Sequence, residues 1–317
     1  MDLCSVVIAN WNGIRHIRRC LDAVFDQTYP KTEVIVVDNG SADGSPGLIN
    51  ARYPGVRLIE NRTNRGFCTA YNQAIRAAKG AHVLVLNTDV FLDRDFVRVA
   101  TDSMQRDGRI GTVAGRVYRD GTKELMNVGV YLRKRLSIVN SPNVDRAEFV
   151  FGSTGAVALH RRAMLEDVKV FSEYFDESYF AFQEDIDLAW RAQLRGWRCL
   201  YVPGALAFHV GSASLAGKIR LIDKPAFFQR QVIKNRYMTL TKNCSPGILL
   251  YLLPALLLTE FLTWPYFLLR HPLRVPYLAL SVVDYLRLLP ATLRKRWLIQ
   301  RRRQVGDRYI RRFFRGF

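Results

Sequence analysis

The first third of the chain alternates short apolar runs with segments in which apolar residues recur every three or four positions. Uninterrupted runs such as LCSVVIA and EVIVV are typical of buried parallel strands, and the longer spacing is typical of amphipathic helices. Alternation of the two predicts an α/β, Rossmann-like domain with a mostly parallel central sheet and helices on both faces. The predicted strands are 3–9, 33–37, 56–60, 82–86 and 110–115, and the predicted helices are 14–25, 45–52, 66–79 and 93–106.

Glycine and aspartate mark the ends of two of these helices. Gly80 follows the third helix and is expected to cap its C-terminus, because glycine adopts the left-handed conformation without strain. Asp93 opens the fourth helix and is expected to cap its N-terminus. Beyond these elements the pattern predicts strands at 148–150, 156–160, 198–202 and 205–209, and helices at 184–194 and 225–242.

The composition changes after the segment CSPG at 244–247. Residues 248–269 are almost wholly apolar apart from Glu260, and residues 275–289 form a second, shorter apolar stretch. A basic segment follows to the end of the sequence. We therefore predict an α/β domain at 1–243 and an apolar and basic tail of helices at 244–317.

Positive charge is densest in this tail. The chain has a net charge of +19, and residues 270–317 contain 13 Lys and Arg against two Asp, a net charge of +11. Such an excess suggests an anionic partner, either a nucleic acid, a phosphate-rich substrate or an acidic membrane surface. The long apolar stretch favours the anionic membrane surface and argues against a nucleic-acid-binding protein, which would not expose it.

Residues 248–269 are long enough to span a bilayer. A single span would carry the basic tail across the membrane, against the positive-inside tendency, and a hairpin would need the short, charged 275–289 stretch as its second span. We therefore expect helices that lie in the membrane interface, broken at Pro254, Pro265 and Pro272, with a hairpin and a single span as alternatives. An amphipathic interface that forms a homo-oligomer is compatible with each arrangement.

The cysteines and the N-terminus predict a cytoplasmic location. The five cysteines show no C-x-x-C pair and no regular spacing, which is typical of free thiols in a reducing compartment. The first residues contain no basic segment before the apolar run at 3–9, so no secretory signal is expected.

Polar residues follow three of the predicted parallel strands, at Asn10-Trp11-Asn12, Asp38-Asn39-Gly40 and Asn87-Thr88-Asp89. Ligands of α/β sheets bind at the carboxyl ends of the strands. A carboxylate such as Asp38 could accept hydrogen bonds from a base or ribose, and Asp89 could hold a divalent cation against a diphosphate. Strand-end turns favour the same residue types, so each position alone leaves a structural interpretation open.

Three carboxylates fall within four residues at Glu184, Asp185 and Asp187. Clustered acids shift one another's pKa, as a general base requires, but acids are also favourable in the first turn of a helix. Capping leaves the preceding aromatic stretch at 180–182 unexplained. His209 ends a strand-like run, and a lone histidine in such a place is more often a packed residue than a metal ligand.

Seven segments in this order resemble the inverting family-2 glycosyltransferases, which have the GT-A nucleotide-diphospho-sugar transferase fold. The likeness spans roughly residues 3–240 and is greatest to the bacterial branch that includes rhamnosyltransferases. The segments are SVVIANWN at 5–12, VVDNGSADGS at 36–45, NRTNRGFCTAYNQA at 61–74, LNTDV at 86–90, GSTGAVALHRR at 152–162, FDESYFAFQEDIDLAWR at 175–191 and HVGSAS at 209–214.

The resemblance implies a role for each matching residue. Asp185 would be the catalytic base, with Asp187 as the second candidate and Glu184 beside them. Asp89 and His209 would bind a divalent cation, Mg²⁺ or Mn²⁺. Asp38 would contact the nucleobase, and Arg65 and Gly66 would lie near the diphosphate. The full donor-binding set is Ala9, Asn10, Asn12, Asp38, Asn39, Arg65, Gly66, Asn87 and Thr88, and the acceptor side is Gly152, Thr154 and Gly155.

The chain departs from the family pattern at two places. The metal motif is often Asp-x-Asp, and here its first position is Asn87, so one negative charge is missing and a lower metal affinity is expected. A Gln-x-x-Arg-Trp motif after the base is absent from the sequence, which argues against a processive synthase of the cellulose type.

The implied activity is a metal-assisted single displacement with inversion, with a nucleotide-diphosphate sugar as donor and dTDP-rhamnose as the favoured donor. A tail that binds membranes suits a glycan acceptor linked to polyprenyl diphosphate, at the cytoplasmic face of the bacterial inner membrane. The alternatives are a non-catalytic sugar-nucleotide-binding or scaffold protein and a basic nucleic-acid-binding protein. A nucleotidyltransferase fits less well, because NWNG at 10–13 replaces the Gly-rich basic loop that such enzymes have after the first strand.

Overall fold

A computed structural model describes residues 1–211, 221 and 224–317, so residues 212–214 of the last family-like segment lie outside the described residues. The strands are β1 (Cys4–Asn10), β2 (Thr32–Asp38), β3 (Val56–Glu60), β4 (His82–Asn87), β5 (Val90–Leu92), β6 (Ile110–Arg119), β7 (Leu125–Val128), β8 (Val130–Leu132), β9 (Ile138–Asn140), β10 (Glu148–Val150), β11 (Val157–Arg161) and β12 (Arg198–His209). The helices are α1 (Ile17–Phe25), α2 (Ser45–Arg52), α3 (Phe67–Ala77), α4 (Phe96–Gln105), α5 (Arg162–Val168), α6 (Glu184–Leu194), α7 (Ala226–Asn243), α8 (Pro246–Arg270), α9 (Val275–Arg301) and α10 (Asp307–Arg311). Short 3-10 helices also occur at Glu177–Tyr179 and Pro272–Arg274.

The main sheet has the strand order β10-β12-β6-β11-β4-β1-β2-β3. Strand β1 pairs in parallel with β2 and β4, β2 pairs in parallel with β3, and β12 pairs in parallel with β6. Strand β11 is antiparallel to β4 and β6, and β10 is antiparallel to β12. The mostly parallel α/β sheet is confirmed, and the carboxyl ends of β1, β2 and β4 meet at one edge.

Helices cover both faces of the sheet, as predicted. Alternate residues of a strand point to opposite faces. Val6 and Ile8 of β1 belong to one apolar cluster with Leu21 of α1, whereas Val7 belongs to another cluster with Tyr71 of α3. All five side chains are fully buried. Burial of each such side chain stabilises the fold by about 1.5–3 kcal/mol, so the run of apolar residues in β1 needs a helix layer on each side.

The prediction that Gly80 caps α3 was wrong. The helix ends at Ala77, and Ala78 is already extended with φ −74° and ψ 143°. A β-carbon at Gly80 would lie 2.6 Å from the carbonyl oxygen of Leu3. Glycine therefore allows two backbones to approach closely at this position and does not serve as a left-handed cap.

The prediction that Asp93 caps α4 was also wrong. Strand β5 extends to Leu92 and pairs with β12, and α4 begins only at Phe96. The Oδ1 atom of Asp93 accepts a hydrogen bond of 3.1 Å from the backbone nitrogen of Asp95, so Asp93 closes the turn between β5 and α4.

The two strands predicted at 198–202 and 205–209 form the single strand β12. Its register against β6 shifts between Val202 and Leu206, where Pro203 and Gly204 intervene. Proline and glycine interrupt the apolar pattern, but a bulge accommodates them within one strand. The continuation beyond the bulge carries His209 to the edge where β1, β2 and β4 end.

Helices α7, α8 and α9 pack together after β12. Arg230 near the start of α7 pairs with Asp284 of α9, and Arg296 of α9 donates to the carbonyl oxygens of Thr241 and Cys244 at the end of α7. Helices α7 and α9 therefore run in the same direction. Helix α8 runs in the opposite direction and connects the C-terminal end of α7 to the N-terminal end of α9. Cys244 and several other apolar side chains of the tail belong to one apolar cluster with Trp190 of α6, which is fully buried.

Pro254 and Pro265 do not break the first tail helix, contrary to the prediction. Both lie inside the continuous helix α8, which ends at Arg270 just before Pro272. A proline inside a helix costs about 3 kcal/mol or more. Buried residues of α8 such as Leu252 and Phe267 oppose this cost by packing against the rest of the protein.

Among the described residues, α8 is the one helix long and apolar enough to cross a membrane. Of its most apolar stretch of 18 residues, 22% is buried inside the protein. Near its middle, Glu260 accepts a hydrogen bond of 2.5 Å from Arg236 and one of 2.8 Å from the hydroxyl of Tyr237, both on α7. The charged residue of this apolar helix is therefore paired with α7.

Candidate active site

Asn10 and Asp38 join the ends of β1 and β2. The Nδ2 atom of Asn10 donates to Oδ1 of Asp38 at 2.6 Å and to Oγ of Ser45 at 2.8 Å. Asp38 also accepts from the hydroxyl and the backbone nitrogen of Ser41, at 2.6 and 2.9 Å. Asn10 is fully buried and Asp38 is 2 % exposed, so the carboxylate shapes the turn that borders the site. Asn12, with φ 50°, binds the same turn by accepting from the backbone nitrogen of Ala42.

Asn39 holds the loop that contains the two predicted diphosphate neighbours. Its Oδ1 atom accepts from the backbone nitrogen of Arg65 at 3.0 Å, and its Nδ2 atom donates to the carbonyl oxygen of Gly66 at 3.1 Å. Gly66 has φ 86°, and a β-carbon there would lie 2.7 Å from the ring of Phe180. The loop is thus fixed from β2 on one side and from the segment before α6 on the other.

The end of β4 brings Asn87 and Thr88 to the same edge. Ala9 of β1 pairs with Val37 on one side and with Asn87 on the other. The Oδ1 atom of Asn87 accepts a hydrogen bond of 3.1 Å from the hydroxyl of buried Tyr71. The hydroxyl of Thr88 lies 3.4 Å from the position that a β-carbon of Gly13 would take.

Asp89 and His209 come together from distant parts of the chain. The Nε2 atom of His209 lies 3.1 Å from Oδ2 of Asp89, and the backbone nitrogen of Val210 donates to the carbonyl oxygen of Asp89. Strand β5 makes the contact possible, because its first residue, Val90, pairs with His209 of β12.

These two side chains fit the implied divalent cation. A carboxylate and an imidazole are suitable ligands for Mn²⁺, and Mg²⁺ and Mn²⁺ commonly take one or two protein carboxylates plus substrate phosphates. Among the described residues, no group of three or more His, Cys, Asp and Glu side chains could hold a metal ion. Asp89 and His209 would therefore share the ion with oxygens of a diphosphate.

Asp185 stands at the start of α6 and faces the loop between β10 and β11. Its Oδ2 atom accepts a hydrogen bond of 3.1 Å from the backbone nitrogen of Gly155. Gly152 and Thr154 line a cavity together with Asp185. The backbone nitrogen of Asn87 donates to the carbonyl oxygen of Ala156 at 2.8 Å, which connects this loop to the end of β4. The predicted acceptor-side residues and the predicted base are therefore neighbours.

The carboxyl groups of Glu184 and Asp185 have little contact with water. Burial, and after it the neighbouring charge of Asp185, raise the pKa of Glu184 to about 8. Burial also raises the pKa of Asp185, although the N–H groups of Ile186 and Gly155 oppose the shift. The pair therefore keeps one proton on Glu184 at neutral pH, while Asp185 ionises first.

Asp187 points away from this pair into the protein. It is fully buried, accepts from Nδ2 of Asn243 at 2.8 Å and pairs with Arg191 at 3.0 Å and Lys242 at 2.9 Å. Burial opposes its ionisation, but the charges of Lys242 and Arg191 outweigh this and lower its pKa. This environment suits a structural carboxylate and gives no access to an acceptor hydroxyl.

The structure also shows site residues that the sequence had not singled out. Tyr71 links Asn87 to α3, and Ser41 and Ser45 complete the turn around Asp38. Asn235 of α7 holds the segment before Glu184. Ser41 and Ser45 lie in the motif VVDNGSADGS, and Tyr71 follows Phe67 by one helical turn, so their places near the site could have been found from sequence. The contact of Asn235 with the segment before Glu184 had no local signal in the sequence.

Comparison with known proteins identifies the family of the chain. The model of the protein family "Glycosyl transferase family 2" matches residues 5–167. N-acetylglucosaminyl-diphospho-decaprenol L-rhamnosyltransferase of Mycobacterium tuberculosis is 28% identical over 244 residues, which cover 66% of this chain and 76% of the relative. Poly-beta-1,6-N-acetyl-D-glucosamine synthase of Staphylococcus aureus is 27% identical over 222 residues, which cover 67% of this chain but only 51% of that protein.

Solved structures of GT-A glycosyltransferases share the fold. S. aureus TarS 1-349 in complex with UDP-GlcNAc has a TM-score of 0.61 at 16% identity, over 94% of this chain and 90% of that one. The mannosyltransferase PcManGT from Pyrobaculum calidifontis, in complex with GDP-Man and Mn²⁺, has a TM-score of 0.56 at 18% identity, over 94% and 85% of the two chains. Because the family model covers just over half of the sequence, the chain belongs to glycosyl transferase family 2 and is a glycosyltransferase.

Proposed function

We propose that this glycosyltransferase moves a sugar from a nucleotide-diphosphate donor to a hydroxyl of a lipid-linked glycan, with inversion at the anomeric carbon. The observation that carries the proposal is the position of Asp185. Its carboxylate is fixed by the backbone of Gly155, is half-buried, and lies at the edge where the donor-side loops end. A base held in this way can remove a proton without first losing a full hydration shell.

The loops after β1, β2 and β4 would bind the donor. The side chains of Asn10, Asp38 and Asn39 fix these loops, and Arg65 brings a positive charge to the diphosphate. We favour dTDP-rhamnose, because the similar protein of M. tuberculosis is named as a rhamnosyltransferase. The TarS and PcManGT complexes, with UDP-GlcNAc and GDP-Man, show that this fold accepts other nucleotide sugars.

Asp185 acts on the acceptor. Its carboxylate accepts the proton of the acceptor hydroxyl as the oxygen forms a bond to the anomeric carbon, and the bond from that carbon to the diphosphate oxygen breaks on the opposite face. Asp89 and His209 would hold a divalent cation, which when bound offsets the charge that develops on the leaving diphosphate. Glu184 retains its proton and so avoids placing a second negative charge beside the base.

The tail supports an acceptor at a membrane surface. The exposed face of α8 presents large apolar side chains at one-turn intervals, and two of them, Leu250 and Phe261, are 71% and 72% exposed. The pairing of Glu260 with Arg236 on α7 holds the middle of α8 against the protein. We therefore favour a monotopic helix that lies in the cytoplasmic leaflet, with arginines beside it on anionic head groups. A polyprenyl-diphosphate-linked acceptor would be within reach there.

The deciding experiment is a transfer assay with full-length protein in detergent. Donors of the dTDP-, UDP- and GDP-sugar classes are tested with Mn²⁺, with Mg²⁺ and with EDTA, and the acceptor is a short-chain polyprenyl-diphosphate-linked N-acetylglucosamine. We expect one donor to be used in a metal-dependent way, and Asp185→Asn to lower kcat by at least about 100-fold. Asp22→Asn, which alters an exposed carboxylate of α1, is the matched control.

Two results would contradict the proposal. Full activity of Asp185→Asn would exclude this carboxylate as the base, and nucleotide binding without transfer to any acceptor would favour a different substrate class. Flotation with vesicles tests the membrane part separately. Full-length protein should float with vesicles that contain phosphatidylglycerol, and a Leu257→Ser/Phe261→Ser variant should float less.

A further inference from the structure

Helix α7 turns an unusually polar face towards the rest of the protein. The buried polar residues at one-turn intervals are Lys234, Asn235, Thr239, Lys242 and Asn243, and we call them the polar face of α7. A buried helix face is normally apolar, because an unpaired buried polar group costs free energy. Each of these side chains has a partner in one segment, residues 176–187.

That segment leads directly into the proposed base. Within four residues it contains three with positive φ, namely 28° at Phe180, 71° at Phe182 and 70° at Gln183. Residues other than glycine rarely adopt such φ values, so contacts with the surrounding structure must keep the backbone in this conformation. Glu184 follows at once as the first residue of α6.

Asn235 is the residue that holds this turn. It is fully buried, and its Nδ2 atom donates to the carbonyl oxygens of Ala181 and Phe182, both at 2.8 Å. The same turn contacts the donor side, because the carbonyl oxygen of Phe180 accepts from the backbone nitrogen of Phe67 at 2.6 Å. One amide group therefore fixes the turn that lies between the Arg65–Gly66 loop and Asp185.

We propose that Asn235 is a positioning residue for the transfer reaction: it holds the turn at 180–183 and thereby sets where Asp185 stands relative to the donor. This inference rests on the proposed function of Asp185. Asn235 itself does not touch substrate. Misplacement of a reacting group by about 1 Å can cost about 100-fold in rate, so the contribution should appear in kcat.

The test compares Asn235→Asp and Asn235→Ala with Thr241→Val in the full chain. Asn235→Asp keeps the side-chain shape but can donate at most one hydrogen bond, and only when it is protonated. Asn235→Ala removes both donated hydrogen bonds and serves as the second variant if Asn235→Asp fails to fold. Thr241→Val removes a hydrogen bond of 2.7 Å to the hydroxyl of Tyr285 on α9, which lies outside the 176–187 segment. It is the control for loss of a polar contact of α7.

We expect the Asn235 variants to lower kcat by about 100-fold with little change in the donor KM, and Thr241→Val to stay within about twofold of the parent. The acidic limb of the pH profile should also move to lower pH, because a loosened turn hydrates Asp185. Hydrogen–deuterium exchange of the peptide 178–188 should accelerate in the Asn235 variants alone, which can be measured without any donor.

An Asn235 variant that folds with unchanged kcat and unchanged exchange would overturn the inference. Equal losses of kcat in Asn235→Asp and Thr241→Val would also overturn it, because they would show a general structural effect. The inference and the proposed function fail separately. If Asp185→Asn is fully active the function of Asp185 is wrong, whereas loss in Asp185→Asn without loss in the Asn235 variants removes only the role of Asn235.

Discussion

The Nε2 atom of His209 lies 3.1 Å from Oδ2 of Asp89, although 120 positions separate them in the sequence. Removal of either side chain should weaken metal binding, because the described residues place no third His, Cys, Asp or Glu ligand beside them. We expect His209→Ala and Asp89→Asn each to lower the affinity for Mn²⁺ by at least about tenfold in the presence of a nucleoside diphosphate. Electron paramagnetic resonance of free Mn²⁺ measures the affinity. His271→Ala in the tail is the control, and an unchanged affinity in His209→Ala would exclude the imidazole as a ligand.

Asn87 occupies the first position of the family's metal motif. Asn87→Asp should raise the affinity for Mn²⁺ by about tenfold, because it adds a negative charge beside the cation and the hydroxyl of Tyr71 can still donate to the new carboxylate. The same Mn²⁺ titration measures the change. A weaker affinity would show that the amide has another task, such as a hydrogen bond to the donor ribose.

Glu184 should make the protein less stable as the pH rises. Its pKa is raised in the folded state, so between the ordinary value of a carboxyl group and about pH 8 the folded state holds a proton that the unfolded state has lost. The free energy of unfolding therefore falls with rising pH in this window, by up to about 1.4 kcal/mol per pH unit. Glu184→Gln should remove most of this loss.

The check is the Tm of both proteins at pH 5 and pH 8. The difference in Tm between the two pH values should be smaller in Glu184→Gln than in the parent. An identical pH dependence would mean that Glu184 is ionised and solvated in the folded protein.

Lys295 of α9 should stabilise the catalytic domain. It lies 2.7 Å from Oδ1 of Asp176, and both side chains are buried. Burial opposes ionisation of Asp176, but the charges of Lys242 and Lys295 hold its pKa well below the ordinary value. Lys295→Met should lower the free energy of unfolding by about 3 kcal/mol, because it leaves a buried carboxylate short of a partner.

A denaturant titration measures this change. Asp176→Asn in the Lys295→Met background should recover part of the loss, since the uncompensated charge is then removed. Arg18→Ala, which breaks a pair with Asp22 that is 59% exposed on both sides, should change stability by less than about 0.5 kcal/mol. Equal losses in Lys295→Met and Arg18→Ala would contradict the argument.

The sequence predicts most strands of the main sheet because a buried parallel strand has a local apolar signal, but β5 and β7 of the same sheet were not predicted. The strand at 56–60 and the helices at 45–52 and 184–194 have the predicted bounds. The proximity of Asn10 and Asp38 also follows from sequence, since parallel neighbouring strands end at one edge. The roles of Asp89, Asp185 and His209 come from family resemblance, and they stay predictions.

Tertiary contacts explain what the sequence could not predict. Gly80 looks like a helix cap until the backbone of Leu3 is placed beside it. Pro254 looks like a helix break until the packing of α8 is known. Asn235 lies 50 positions beyond Asp185, so no local pattern connects it with the turn that it holds.

The pairing of Asp176 and Asp187 with Lys242, Asn243 and Lys295 also bears on how such enzymes evolve. Residues 244–317 are not an interchangeable appendage, because Lys295 pairs with Asp176 from within that tail. Exchange of the tail between relatives would succeed only where the acidic and basic partners change together. Selection on the tail and selection on the domain before it are therefore coupled through a few buried charges.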